Sequence, residues 1–352
     1  MKKFIFTAML LCTMVNSFAT IRRIGYWGTP VAGVDYATAA LAVSNSAVGD
    51  SIYVYGSGWT IDLTKRLVII GTGYFYAANT PNNTYFNANL QNYNAYSGAN
   101  VQLSDGSSNS IVTGIVGYVY CNASHTSPIN NIRISNCYWN GVPTMYKNGM
   151  TYDGWEISKC YISGGAVGYP ANGTSKVNNF KFLNNILRTG ELIITATAGQ
   201  TGIVESCTFL NYVGYGGNTF NGANFLVQNC IFATNTNLTG FSNTVFNNCV
   251  FDYTPSPGIT GSNNILNATV NNIFIGYPTQ GTTTDDGRWA LKVGSPAIGA
   301  GVAGIDCGAF GGVNPYKLSG IPAIPAFIKL TAPGTAANTN PYTLTFSVKA
   351  NN

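Results

Sequence analysis

The chain has 352 residues, of which 45% are hydrophobic and only 8% charged, against about 25% charged in an average soluble protein. That is ample for a large core, with solubility carried by amide and hydroxyl groups. The formal charge of +5 drops to +3 if Lys2 and Lys3 are removed with a leader, and no basic cluster is written in the sequence, which argues against nucleic acid as a partner.

The first predicted element is that leader. MKKFIFTAMLLCTMVNSFAT has two lysines, an apolar run from Phe4 to Val15 and small residues at Ser17 and Ala19, the pattern of a secretory signal peptide over residues 1–19. Leu11 rather than a small residue precedes Cys12, which argues against lipid attachment there. No later apolar run is long enough to span a bilayer, so no transmembrane segment is expected after cleavage.

Next comes an N-terminal cap over about residues 24–60. DYATAALAVSNSAVGD reads as a short helix with Asp35 as N-cap and Ala39, Ala40 and Val43 on one face, placed across the open end of a core. SIYVYGSG and KRLVIIGTGY read as strands closed by glycine turns. The stretch from Leu103 to Ser110, LSDGSSNS, reads as a turn, since its single carboxylate makes a poor calcium loop. His125, the one histidine, has no triad context and reads as a loop residue.

From about residue 130 to 252 a short phrase recurs. Aligned on one marker, it gives six registers at Cys137, Cys160, Asn185, Cys207, Cys230 and Cys249. Two places after the marker stand Trp139, Ile162, Leu187, Phe209, Phe232 and Phe251; three places before it stand Ile134, Ile157, Phe182, Val204, Val227 and Phe246. Apolar positions at period two mean strands with one face inward, and a period of twenty-odd residues means stacked repeats. The expected fold is all-β, a right-handed single-stranded parallel β-helix over residues 20–316. Each turn borrows its stability from the next, because ordering a residue costs roughly 1–2 kcal/mol and a buried aliphatic or aromatic side chain returns about 1.5–3 kcal/mol.

RWALKVGSPAIGAGVAGIDCGAFGG reads as one more turn-rich coil, and residues 317–352 as a tail with an alternating strand from Tyr342 to Val348. This tail is a candidate for export, anchoring or self-association.

Seven cysteines remain after the leader, an odd number. In-register side chains run parallel at about 4.8 Å, beyond the usual Cβ separation of a disulfide, so the markers are expected to be a structural column of buried free thiols with Asn185 bonded to the backbone of its bend. A one-dimensional column without histidine offers no tetrahedral metal site, and no cofactor is expected.

Four places before the marker, Arg133, Glu156 and Lys181 fall on the outward face of adjacent coils. They read either as a salt-bridged ladder or as a sugar-binding or catalytic patch. Tyr138 and Tyr161 also face outward and are candidates to stack on a sugar ring. Of twelve acidic residues, only Asp153 with Glu156, and Asp285 with Asp286, are close in sequence, and turn chemistry accounts for both pairs.

The helix followed by VGDSIYVYGSG and LVIIGTGY, the Asn- and Cys-marked coils, and the closing SPAIGAGVAGIDCGAFGG together resemble secreted bacterial β-helix proteins of the pectin-lyase-like superfold, over roughly residues 24 to 314. The resemblance implies a fold more than an activity, because that superfold hosts lyases, hydrolases, adhesins and surface proteins. No catalytic set carries over. The expectation is a non-catalytic protein, secreted or at the surface of a Gram-negative bacterium, with a matrix, adhesive or carbohydrate-binding role and a polysaccharide or cell-surface glycan as partner. The alternatives are a polysaccharide lyase or glycoside hydrolase using Arg133, Glu156 and Lys181, and a self-assembling extracellular fibre subunit. A phage tail-spike fits poorly with the leader.

Overall fold

The structure, a computed structural model, describes residues 20–25, 29–75, 97–140, 149–164, 166–168, 175–189, 191–199, 202–210, 220–234, 238–239, 241–255, 258–322, 326–331 and 345–349. The leader expected over residues 1–19 lies outside them.

Strand dominates, and nearly all pairing is parallel. An eleven-stranded sheet runs in the order Asp35–Tyr36, Ile21–Ile24, Ser51–Val54, Val68–Ile70, Ile111–Thr113, Arg133–Ser135, Glu156–Ser158, Lys181–Leu183, Gly202–Glu205, Phe225–Gln228 and Val245–Asn247. A second, ten-stranded sheet runs from Trp59–Leu63 to Val250–Phe251 and takes in Tyr138–Asn140, Tyr161–Gly164, Ile186–Leu187, Thr208–Leu210 and Ile231–Ala233. A third holds Ala166–Val167, Glu191–Thr195, Phe220–Ala223 and Leu238–Thr239. The chain visits these sheets in turn, so strands adjacent in space are one repeat apart in sequence.

The apolar rows of the sequence become columns. Ile134, Ile157, Phe182, Val204, Val227 and Phe246 sit opposite one another in strict register. Trp139, Ile162, Leu187, Phe209, Phe232 and Phe251 do the same in the second sheet, with the Phe209, Phe232 and Phe251 rings stacked at 4.7 and 4.9 Å. All twelve are buried in one continuous core. Five places before the marker stand Ile132, Trp155, Phe180, Gly202, Phe225 and Thr244, and the two breaks in this apolar row, Gly202 and Thr244, are repaired locally. Phe225 lays its ring over Gly202, where a Cβ would come within 2.3 Å of it, and Thr244 donates its hydroxyl to Gly222 O at 2.9 Å.

The helix spans Ala39–Asn45, but its N-cap is Thr38, whose hydroxyl accepts from Leu41 N–H. Asp35 instead lies in the edge strand, held by Arg23 at 2.6 and 2.8 Å. The buried face is Ala39, Ala42 and Val43, and Ala40 is exposed, because i, i+3 and i+4 share a helix face and i+1 does not. This helix packs on the first strands of both large sheets.

A larger departure concerns residues 268–322, which add no further coil. They fold over the outer face of the second sheet and make a second core with Tyr161, Ile186, Leu210, Ile231 and Val250. Gly and Pro leave this segment in turns and 3-10 pieces, without the strand period needed to extend the sheets. In the tail, Ala326–Thr331 pairs antiparallel with Thr345–Lys349 as a sheet of its own. Residues 342–344 of the predicted tail strand lie outside the described residues. Among the described residues no helix is long and apolar enough to cross a membrane.

Candidate functional site

The marker column is built by the bend after each strand of the first sheet. The residue before each marker, Asn136, Lys159, Asn184, Ser206, Asn229 and Asn248, has φ between 50° and 56°, the left-handed region that Asn tolerates better than most residues. That backbone turns the marker inward. Asn185 accepts Cys160 N–H on Oδ1 at 2.8 Å and donates to Ile157 O at 2.9 Å. The thiols reproduce this pattern more weakly. Cys207 Sγ accepts from Asn185 N–H and Cys230 Sγ accepts from Cys207 N–H, while each of the five marker thiols donates to the carbonyl two residues back. All seven described cysteines are free and buried. Burial raises the thiols of Cys160, Cys230 and Cys249 well above the ordinary value, and that of Cys307 to about 12. A seventh register, missed because it comes early, is Asn264, which accepts from Cys249 N–H and donates to Phe246 O.

Arg133, Glu156 and Lys181 are direct partners across three adjacent strands. Arg133 and Lys181 are exposed and Glu156 is half-buried. Among the described residues no ion pair within 4 Å joins them, so they form a row and not the salt-bridged ladder considered above. Ser135 and Ser158 share the outward face one step along. At its margin, Lys159 donates to Asn314 Oδ1. Burial lowers the Lys159 ammonium, as does the nearby Lys317, against the pull of Glu156. The tertiary fold thus sets Arg133 and Lys181 on either side of Glu156 and brings Lys317 close to Lys159 at the margin of this row.

Tyr138 and Tyr161 do point away from the main core, but into the second one. Tyr161 is fully buried and Tyr138 packs on Tyr74, Phe75 and Tyr161. Tyr161 is therefore not available to stack on a sugar, since the segment of residues 268–322 covers it, while Tyr138 is half-buried against Tyr74 and Phe75.

The aspartates are engaged in holding turns. Asp50 accepts from Thr20 N–H and Ala47 N–H, Asp105 from Thr126 and Ser127, Asp153 from Asn179, Asp252 from Thr234 N–H and Asp306 from Gly299 N–H. Asp285 pairs with Arg188 at 3.2 Å. Asp286, which the sequence places in a loop, is fully buried. It takes hydrogen bonds from Thr284 and Gly287 on one oxygen and from Tyr316 and Ser319 on the other. His125 is also buried, with Tyr152 OH at 2.9 Å from Nε2. Glu205 lies on the open sheet face, but its Cα is about 12 Å from that of Glu156, given about 4.8 Å per strand and 3.4 Å per residue, and Lys181 stands between. Among the described residues no group of three His, Cys, Asp or Glu is placed to hold a metal ion.

Neither a family model nor a curated protein matches this chain.

Proposed function

We propose that this chain is a secreted surface or matrix protein of a Gram-negative bacterium, folded as a right-handed parallel β-helix of the pectin-lyase-like kind. On this reading it binds acidic glycans on the open face of its first sheet without cleaving them. The in-register parallel sheets visited in turn support the architecture. The carrying observation for function is the pair of cations Arg133 and Lys181 flanking Glu156 on the outward face of three adjacent strands, with Lys159 and Lys317 near one another at the margin. Carboxylates or sulfates of a polymer lying across the strands would meet Arg133 and Lys181 about 9.6 Å apart, two strand spacings, with Glu156 between them. Catalysis by the same face fits less well. A hydrolase needs paired carboxylates within about 5–10 Å, and Asp50, Asp105, Asp153, Asp252 and Asp306 are bonded in turns while Asp35 and Asp285 pair with arginines.

The test is affinity electrophoresis in gels containing a polyuronate, a sulfated glycan or a neutral glucan. Retardation is expected in the first two gels only, weakened by salt and reduced several-fold in a double variant, Arg133→Gln with Lys181→Gln. Equal retardation in the neutral gel, or no change in the variant, overturns the binding face. Steady release of reducing or unsaturated ends, lost in Glu156→Gln, overturns the non-catalytic reading in favour of a lyase or hydrolase.

A further inference from the structure

The two ends of the sheets are finished differently. At the N-terminal end the outermost strand, Asp35–Tyr36, is two residues long, carries the Asp35 to Arg23 bond and lies beside the helix Ala39–Asn45. Short, charged and covered edges resist strand addition. At the other end the last rung is made by Thr260 and Ile265, bridged to Val245 and Val250. Among the described residues no strand pairs with its far side. Thr260, Gly261, Ser262 and Asn263 are exposed, and no charged residue or proline lies between Gly258 and Ala268. Beside this rung runs a groove of about 450 Å³ in which Ile265, Leu266 and Val293 stand among polar side chains, Asn267, Asn272 and Lys292, with Val293 97% exposed.

The same chain carries a candidate occupant. Ala326–Thr331 and Thr345–Lys349 form a two-stranded antiparallel sheet, and among the described residues no strand pairs with either outer edge; an isolated hairpin is marginally stable in water. Its own terminal rung is out of reach. The segment leading to it ends with Pro322 over Gly114. From the strand Ile111–Thr113 to Thr260 there are seven steps along the first sheet, about 34 Å at 4.8 Å each. From Pro322 to Ala326 the chain spans at most about 14 Å. A strand added to that edge lies across the stacking direction, so Ala326 itself would have to make the crossing.

We infer that the hairpin of one molecule adds to the Thr260–Ile265 edge of a second copy, giving head-to-tail chains. Because donor and acceptor surfaces differ and sit at different places on the molecule, the contact is heterologous and does not close at a dimer. This inference is independent of the glycan reading.

Sedimentation velocity of the full chain over a wide concentration range tests it. The expected result is a mass that grows past the dimer as concentration rises. Leu266→Asp with Val293→Asp places charge in the groove at exposed positions, and Ser347→Pro blocks an edge of the hairpin; each is expected to leave monomers. Mixing the two restores one working hairpin and one working edge, so dimers and nothing larger should form. A wild-type chain monomeric throughout, a wild-type plateau at the dimer, or assembly undiminished in either variant overturns the proposal.

Discussion

At the scale of single residues, the recurring marker is a solution to one local problem. Each bend leaves a backbone N–H facing the core, and an unpaired buried donor costs about 1–3 kcal/mol. Asn185 and Asn264 answer it with an amide, and Cys207 and Cys230 with sulfur. Cys230→Ala should therefore cost about 1–3 kcal/mol, since it strips Cys207 N–H of its acceptor, whereas Cys230→Asn should cost less; urea unfolding midpoints decide. The buried thiols should also resist iodoacetamide in the native protein and react together on unfolding, because burial closes them to the reagent and keeps Cys160, Cys230 and Cys249 protonated. Alkylation of the native chain at Cys160 would contradict this. At the left-handed corners, Asn243 has φ of 52° and is exposed. Asn243→Ala is expected to cost about 1–2 kcal/mol and Asn243→Gly clearly less.

At the scale of elements, the decisive piece is the segment from Ala297 to Pro322, which runs back along the stack. Asn248 donates to Ala300 O, Asn229 accepts Val302 N–H, and Asn184 donates to Ala309 O and Gly311 O. Farther along, Tyr74 N–H reaches Ser319 O, and the Tyr74 and Tyr316 hydroxyls meet at 2.7 Å. Asp286 holds the far end through Tyr316 and Ser319. Asp286→Asn turns one acceptor oxygen into a donor facing two other donors, a loss of about 2–4 kcal/mol. Limited trypsin digestion should then cut after Lys317 in the variant well before the wild type. Unchanged cleavage would show that the segment is held by its apolar contacts alone.

These elements also show what could be read beforehand and why. Strand positions and inward rows were legible because a period of two and a repeat of twenty-odd residues are local signals. Asp35 misled because it is a good capping residue three places before a better one, Thr38, and only the Arg23 strand beside it claims its carboxylate. Tyr138 and Tyr161 were assigned to the correct side of their strands, yet nothing near them in sequence announces the cover. It arrives from residues more than a hundred positions away, such as Asp285, whose carboxylate accepts from Tyr161 OH.

At the scale of the whole molecule, the buried phenols and thiols set an alkaline limit. Burial raises Tyr74 and Tyr316 well above 10.0, and Cys160, Cys230 and Cys249 well above 9.0. The unfolded chain thus ionises first as pH rises, and stability that is full below about 9 is lost progressively above it. At the acid end the Arg23 bond lowers Asp35, and Thr126 lowers Asp105, below 3.8; their contribution is full above that value and disappears as pH falls beneath it. Melting temperatures across pH should trace both flanks. A flat alkaline flank would contradict the burial of these groups.

The sequence by itself determined which residues form rungs, which side of each strand faces inward, and that the core is a set of columns, because each of these depends on spacing within one repeat. Tertiary structure alone decided which outer face stays open. The covering segment has no periodic signature, and the approach of Lys317 and Asn314 to Lys159 depends on a chain that returns past strands laid down far earlier. Contacts between distant parts of a chain leave no local pattern, so the site they build becomes visible only once the chain is folded.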